Sequence, residues 1–191
     1  TQFWSERGDS NRSFNLSAIG TSAKDGVLTY NTSGNSQDSD GLSSGRADLV
    51  DEAFKLLEAT LGIDFQGISA SGADFRFGDN GTDSSGNPAA YANYSLNGSA
   101  INYSGINVHS NWSSGSTSFG DYAFQTILHE IGHGLGLGHQ GAYNAGEGES
   151  ITYASNADYT NDSWQASMMS YFSQTDNTSV NASFAYLSTP M

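Results

Sequence analysis

Cysteine is absent from the 191 residues, and proline and positive charge are scarce. There are two Pro, and six Lys and Arg against twenty Asp and Glu. Without cysteine there is no disulfide framework and no thiolate metal site. A formal net charge of −14 leaves no basic footprint for nucleic acid. An anionic membrane surface would also repel the chain. No run of about 18 apolar residues occurs, so no segment reads as a membrane span. The opening residues Thr1, Gln2, Phe3, Trp4, Ser5, Glu6 and Arg7 form no signal-peptide apolar stretch, which fits a mature product or an excised domain. Gly, Ser and Asn are plentiful, and aromatic residues make up 12% of the chain. This composition reads as one folded, loop-rich domain, long enough for two small lobes sharing a cleft. The acidic surface suits solubility. It is also compatible with calcium, although no loop has a dependable ligand spacing.

Apolar periodicity organises the chain. Residues 27–30 read as a short strand and 31–45 as a loop rich in Ser, Gly, Asp and Asn. Leu49, Val50, Ala53, Phe54, Leu56, Leu57 and Leu61 recur at helical spacing, which predicts a helix over 46–61 with Gly62 as its stop. Strands are expected over 63–68, 73–77, 89–96 and 106–109. Pro88, at the head of one of them, favours an edge position, where a missing amide donor does little harm. A second helix is expected from about Phe119 through Tyr122, Phe124, Ile127, Leu128 and Ile131, followed by an irregular tail. Residues 1–26 are hard to read. The class is α+β: a mixed twisted sheet, an active-site helix and a loop-rich C-terminal subdomain. The expected lobes meet within one domain, about 1–138 and about 139–191.

The chemistry lies in His129, Glu130, Ile131, Gly132, His133, Gly134, Leu135, Gly136, Leu137, Gly138 and His139. Two His four apart share one helix face and can converge on one ion. Glu130 is turned about 100° from His129, beside that ion. A straight helix would carry His139 about 9 Å past His133, too far for a bond of about 2 Å to the same zinc. The helix must therefore stop and the chain must turn back. Gly134, Gly136 and Gly138 supply that freedom, with a backbone angle costly for other residues expected at Gly136. Three neutral imidazoles leave zinc one open position, and its bound water becomes acidic near neutral pH. Glu130 is the expected general base, passing the proton on to a departing amine.

The segment resembles the metzincins and, within them, the serralysins, secreted bacterial zinc proteases. Tyr143, Asn144, Ala145, Gly146, Glu147 and Gly148 resemble the serralysin continuation after the third His. Ser167, Met168, Met169, Ser170 and Tyr171 resemble its Met-turn. The resemblance implies a metzincin zinc-protease fold, with Met169 packed beneath the metal site. It implies that Tyr171 approaches the zinc through its phenol, as ligand and oxyanion donor. It also implies one catalytic zinc ion and a secreted, extracellular protein. Astacins fit less well, because they rely on disulfides. Matrix metalloproteinases fit less well too, because they carry a second zinc on further histidines, and only His109 remains here. Residues 185–191 resemble the junction where serralysins enter a calcium-binding β-roll. Gln140 and Ala142 depart from the serralysin pattern.

The expected partners are protein or peptide substrates and, unidentified by any motif, a proteinaceous inhibitor. An extended substrate is expected to pair with the edge strand at Ala89, Ala90, Tyr91, Ala92, Asn93 and Tyr94. Two other readings compete: a binding module that keeps zinc as a staple, and a non-heme iron oxygenase. Retention of Glu130, Met169 and Tyr171 argues against the first. The lack of a carboxylate among the ligands argues against the second.

Overall fold

The computed structural model describes residues 12–14, 26–144, 150–177 and 179. Expectations for residues 1–11, 145–148 and 185–191 lie outside these. In chain order the elements are β1 Ser13–Phe14, β2 Val27–Asn31, α1 Ser44–Leu61, β3 Asp64–Gly67, β4 Phe75–Gly78, β5 Ala90–Asn97, β6 Ala100–Val108, α2 Tyr122–Gly134 and α3 Tyr153–Asn156. A short 3-10 turn, Trp112–Gly115, precedes α2.

The strands form one sheet. Strand β2 pairs in parallel with β3 and β4, and β6 pairs in parallel with β4 and β1. Strand β5 is antiparallel to β6 and, among the described residues, pairs with no other strand, so it stands as an edge there. The expected mixed sheet is therefore present, and Pro88 sits just before its edge strand. Strand β6 extends well beyond the expected 106–109. It starts at Ala100, directly after a tight turn at Gly98 with φ +62°. Asn97 pairs with Ala100 across that turn.

Phe54 of α1 anchors the core. Its ring stacks on Tyr30 at 4.3 Å and meets Phe65, Phe75 and Phe77 at 4.8, 5.4 and 6.0 Å. The same cluster takes in Leu49, Val50, Ala53 and Leu57 of α1 and Ala123, Ile127, Leu128 and Ile131 of α2. Both long helices thus bury their apolar stripes against the sheet. Helix α1 stops where Gly62 adopts φ +66° and its N–H donates to the Glu58 carbonyl, as the sequence led us to expect. Helix α2 starts at Tyr122, later than expected, because Phe119 folds back edge-on against Phe124 instead of joining the helix.

Helix α2 also packs closely on the sheet through Gly134. A Cβ there would lie 2.9 Å from the Phe75 ring and 3.1 Å from Ser104 Oγ. Buried Arg46, near the start of α1, donates through Nη2 to the Trp112 carbonyl at 2.7 Å, which fixes the loop leading to α2.

Candidate active site

The last turn of α2 carries the expected reversal. The Leu137 N–H donates to the Gly132 carbonyl at 3.0 Å, and the Gly136 N–H to the His133 carbonyl at 2.6 Å. This is a Schellman ending, and its left-handed residue is Gly136 with φ +98°. A Cβ on Gly136 would come within 2.1 Å of the Arg12 carbonyl, so the site demands glycine twice over. Gly134 and Gly138 do not have positive φ. Gly134 is there for close packing, and the turn depends on Gly136.

The reversal returns His139 to the other two imidazoles. One ligand atom from each of His129, His133 and His139 lies within 4.8 Å of the others. Each ring is held by its Nδ1, which sits 2.8 Å from a backbone carbonyl: Met168 for His129, Leu137 for His133 and Tyr143 for His139. A carbonyl can only accept, so each Nδ1 carries the proton and each Nε2 presents a lone pair. His133 Nε2 and His139 Nε2 are 3.0 Å apart. Two lone pairs at that distance repel unless a cation lies between them. Three neutral imidazoles with fixed tautomers and one open side fit zinc, whose catalytic sites take three protein ligands.

Burial shapes the electrostatics. It pushes the His129 imidazole down to about 3, helped by the neighbouring His133, and it lowers His133 as well. Both rings therefore stay neutral, the form that binds metal. The Glu130 carboxyl is buried beside them, and burial pushes it up to about 8.

Met169 is buried against α2, and Gly132 makes its room. A Cβ on Gly132 would meet Met169 Sδ at 2.5 Å. The Tyr171 ring stands edge-on to His139 with centroids 4.3 Å apart, and its hydroxyl is 3.5 Å from Asn144 Oδ1. A buried carboxylate ties these parts together. Asp162 Oδ1 accepts from the Tyr143 hydroxyl at 3.0 Å and from Ser170 Oγ at 2.6 Å. Tyr143 in turn accepts the Tyr171 N–H and offers its carbonyl to His139.

A cleft of about 770 Å³ runs past the tripod, lined on one side by Ala90, Tyr91, Ala92 and Tyr94 of the edge strand. Ala89 and Asn93, also expected there, do not line it. The Ala89 carbonyl faces inward, to the His109 N–H and the Asn107 side chain. The Asn93 carbonyl accepts from Ser104 Oγ. The roles of Gly132, Asp162 and Gln125, another cleft residue, were not legible from residue type. Each is informative only once its neighbour in space is known.

Residues 22–163, well over half of the chain, match the Peptidase M10 family model, described as matrixin. Metalloprotease AprA of Pseudomonas entomophila is 40% identical over 56% of this chain and 22% of its own length. Serralysin C of Dickeya chrysanthemi is 52% identical over 29% of this chain and 11% of its own. The chain thus spans only a small part of the curated relatives it matches. The crystal structure of myroilysin aligns with 87% of this chain and 79% of that one, at 19% identity and a TM-score of 0.48. With its three imidazoles, its Met-turn and this match, the chain belongs to the matrixin peptidase family, as a serralysin-type metzincin catalytic domain.

Proposed function

We propose that this chain is a zinc-dependent endopeptidase that cuts proteins in the cleft between its edge strand and α2. The observation that carries this reading is the tripod of Nε2 lone pairs, each fixed by an Nδ1–H to a backbone carbonyl. His129, His133 and His139 would hold the ion. Bound there, zinc supplies Lewis acidity, which makes water a nucleophile near neutral pH and polarises the scissile carbonyl.

The protein's own groups do the rest. Glu130 takes a proton from the attacking water and returns it to the departing amine. Burial favours the protonated carboxyl and the charge of a bound zinc would oppose that, so Glu130 can both accept the proton and release it. Tyr171, whose ring stands edge-on to His139, would serve through its phenol as a further ligand and as a donor to the developing oxyanion.

Backbone pairing aligns the substrate. Because Ala89 and Asn93 turn their carbonyls inward, the period of two leaves the N–H and C=O groups of Ala90, Ala92 and Tyr94 facing outward. A peptide antiparallel to β5 pairs with these three, and such pairing is indifferent to most side chains. We take the whole chain as one catalytic domain whose lobes meet near residue 138. No helix among the described residues is long and apolar enough to cross a membrane. A protease of this kind fits a secreted, extracellular setting.

The test is Glu130→Ala with casein as substrate. The variant should keep one zinc per chain while hydrolysis falls by roughly 10²–10⁴-fold. Undiminished hydrolysis would remove Glu130 from the mechanism, and a zinc-loaded parent that leaves casein intact would overturn the endopeptidase reading.

A further inference from the structure

Positive charge is rare in this chain, and most of it serves the fold. Lys55 pairs with Glu52 on the surface of α1, Arg46 is buried against the Ser110 and Trp112 carbonyls, and Arg76 lies over the Tyr103 ring at 3.6 Å. Arg12 differs. It lines the cleft, and among the described residues there it is the only Lys or Arg, as Glu130 is the only carboxylate.

Backbone and side chain both hold Arg12 in that wall. Its carbonyl comes so close to Gly136 that a Cβ there would collide with it, and the next residue, Ser13, pairs with Ala100 of β6. Its guanidinium lies over the Tyr94 ring, 4.9 Å from the centroid, and donates to the Tyr94 hydroxyl. Tyr94 is itself anchored. Burial pushes its phenol up to about 12, and the retained O–H donates to the His133 carbonyl at 2.5 Å. A guanidinium has five N–H donors in one plane, more than a single phenol oxygen can take. A planar fork already stacked on a ring loses little freedom when a carboxylate joins it.

The direction of the substrate says which part of it passes Arg12. Ala90 of β5 pairs with Val108, shortly before Trp112 in the chain, and Trp112 stacks on Tyr122, the first residue of α2. Tyr94, farther along β5, reaches His133 in the last turn of α2. Strand β5 and helix α2 therefore run the same way. A peptide antiparallel to β5 meets Tyr94 and Arg12 with the residues that precede the scissile bond.

We infer that Arg12 selects substrates carrying an acidic side chain, Asp or Glu, within the three residues before the scissile bond. The substrate carboxylate accepts from the Arg12 guanidinium. A net charge of −14 repels that carboxylate over the rest of the protein, so the preference is confined to this end of the cleft. An amide of the same shape, Gln, fills the same place without the charge. This inference rests on the endopeptidase reading for the position of the substrate.

The experiment measures kcat/KM of the zinc-loaded protein on internally quenched peptides, with the cut bond identified by mass spectrometry. Glu replaces Gln at one position at a time, over the three residues before the bond and the three after it. Glu should raise kcat/KM about tenfold at one of the preceding positions and at none of the following ones. Arg12→Gln should erase that gain, Arg12→Lys should retain part of it, and Arg12→Glu should favour Lys over Gln at the same position. Each comparison is a ratio within one variant, so a lower overall rate from a disturbed Tyr94 does not imitate the effect. Equal rates for Glu and Gln at all three preceding positions, or a gain that survives Arg12→Gln or Arg12→Glu, would overturn the inference and leave the endopeptidase reading standing. A zinc-loaded parent that cuts neither these peptides nor casein would overturn that reading, and this inference with it.

Discussion

A histidine can bind a metal only through the ring nitrogen that has lost its proton, so the carbonyl opposite the other nitrogen decides which way it faces. Here three carbonyls from three different segments make that choice: Met168, Leu137 and Tyr143. The spacing of His129, His133 and His139 was legible in the sequence, and so was the need for a turn at Gly136. The carbonyl partners were not legible, because backbone acceptors leave no mark on residue type. Gly132 was overlooked for a related reason, since its meaning is the Met169 sulfur that a Cβ would strike. Gly132→Ala should displace that sulfur and weaken zinc retention, as read by chelator competition; unchanged retention would show that Met169 does not depend on this contact. Gly136→Ala adds a strained φ to a clash with the Arg12 carbonyl. It should lower stability by about 1–3 kcal/mol in chemical denaturation, and a neutral result would contradict the account of the turn.

Elements were legible where one face is apolar and obscure where pairing is non-local. Helix α1 appears in the sequence because Leu49, Val50, Ala53, Phe54 and Leu57 repeat at its period, and all five are buried. Strand β6 did not, because Asn102, Tyr103, Ser104 and Gly105 have little common strand character. Partners on both sides hold it: β5 along one edge, β4 and β1 along the other. The Gly98-Ser99 pair, central in the turn between Asn97 and Ala100, was the available signal. The loop between β2 and α1 is secured by Asp38, which is 2% exposed. Burial alone would raise its carboxyl. The N–H groups of Asp79 and Asp40 donate to it, outweigh burial and hold it below the usual range. A carboxyl lowered in the fold stabilises above its unfolded value of about 3.9 and loses that effect as pH falls through the folded value. Asp38→Ala should therefore cost about 1–3 kcal/mol at pH 7, with the gap to the parent closing as the solution is acidified below pH 4. Denaturation midpoints across that range would show it, and a gap that widens with acid would contradict it.

Over the whole molecule, a net charge of −14 on 191 residues makes self-repulsion the general electrostatic condition. Added sodium chloride should raise the melting temperature between low and about 0.15 M ionic strength, as the Debye length contracts to about 8 Å. A melting temperature that falls with salt would mean that attractive pairs dominate instead. The two proline residues and abundant glycine further suggest a flexible protein. A melting temperature well above those of mesophilic relatives would count against that. Sheet, helices and Met-turn together serve one arrangement, three imidazoles brought to a point by a chain reversal at glycine. Anomalous diffraction at the zinc edge from crystals of the zinc-loaded protein tests it most directly. The account predicts one strong peak about 2.0–2.1 Å from Nε2 of His129, His133 and His139 alike. A peak bonded to only two of these rings, or lying elsewhere with His139 turned away, would contradict it.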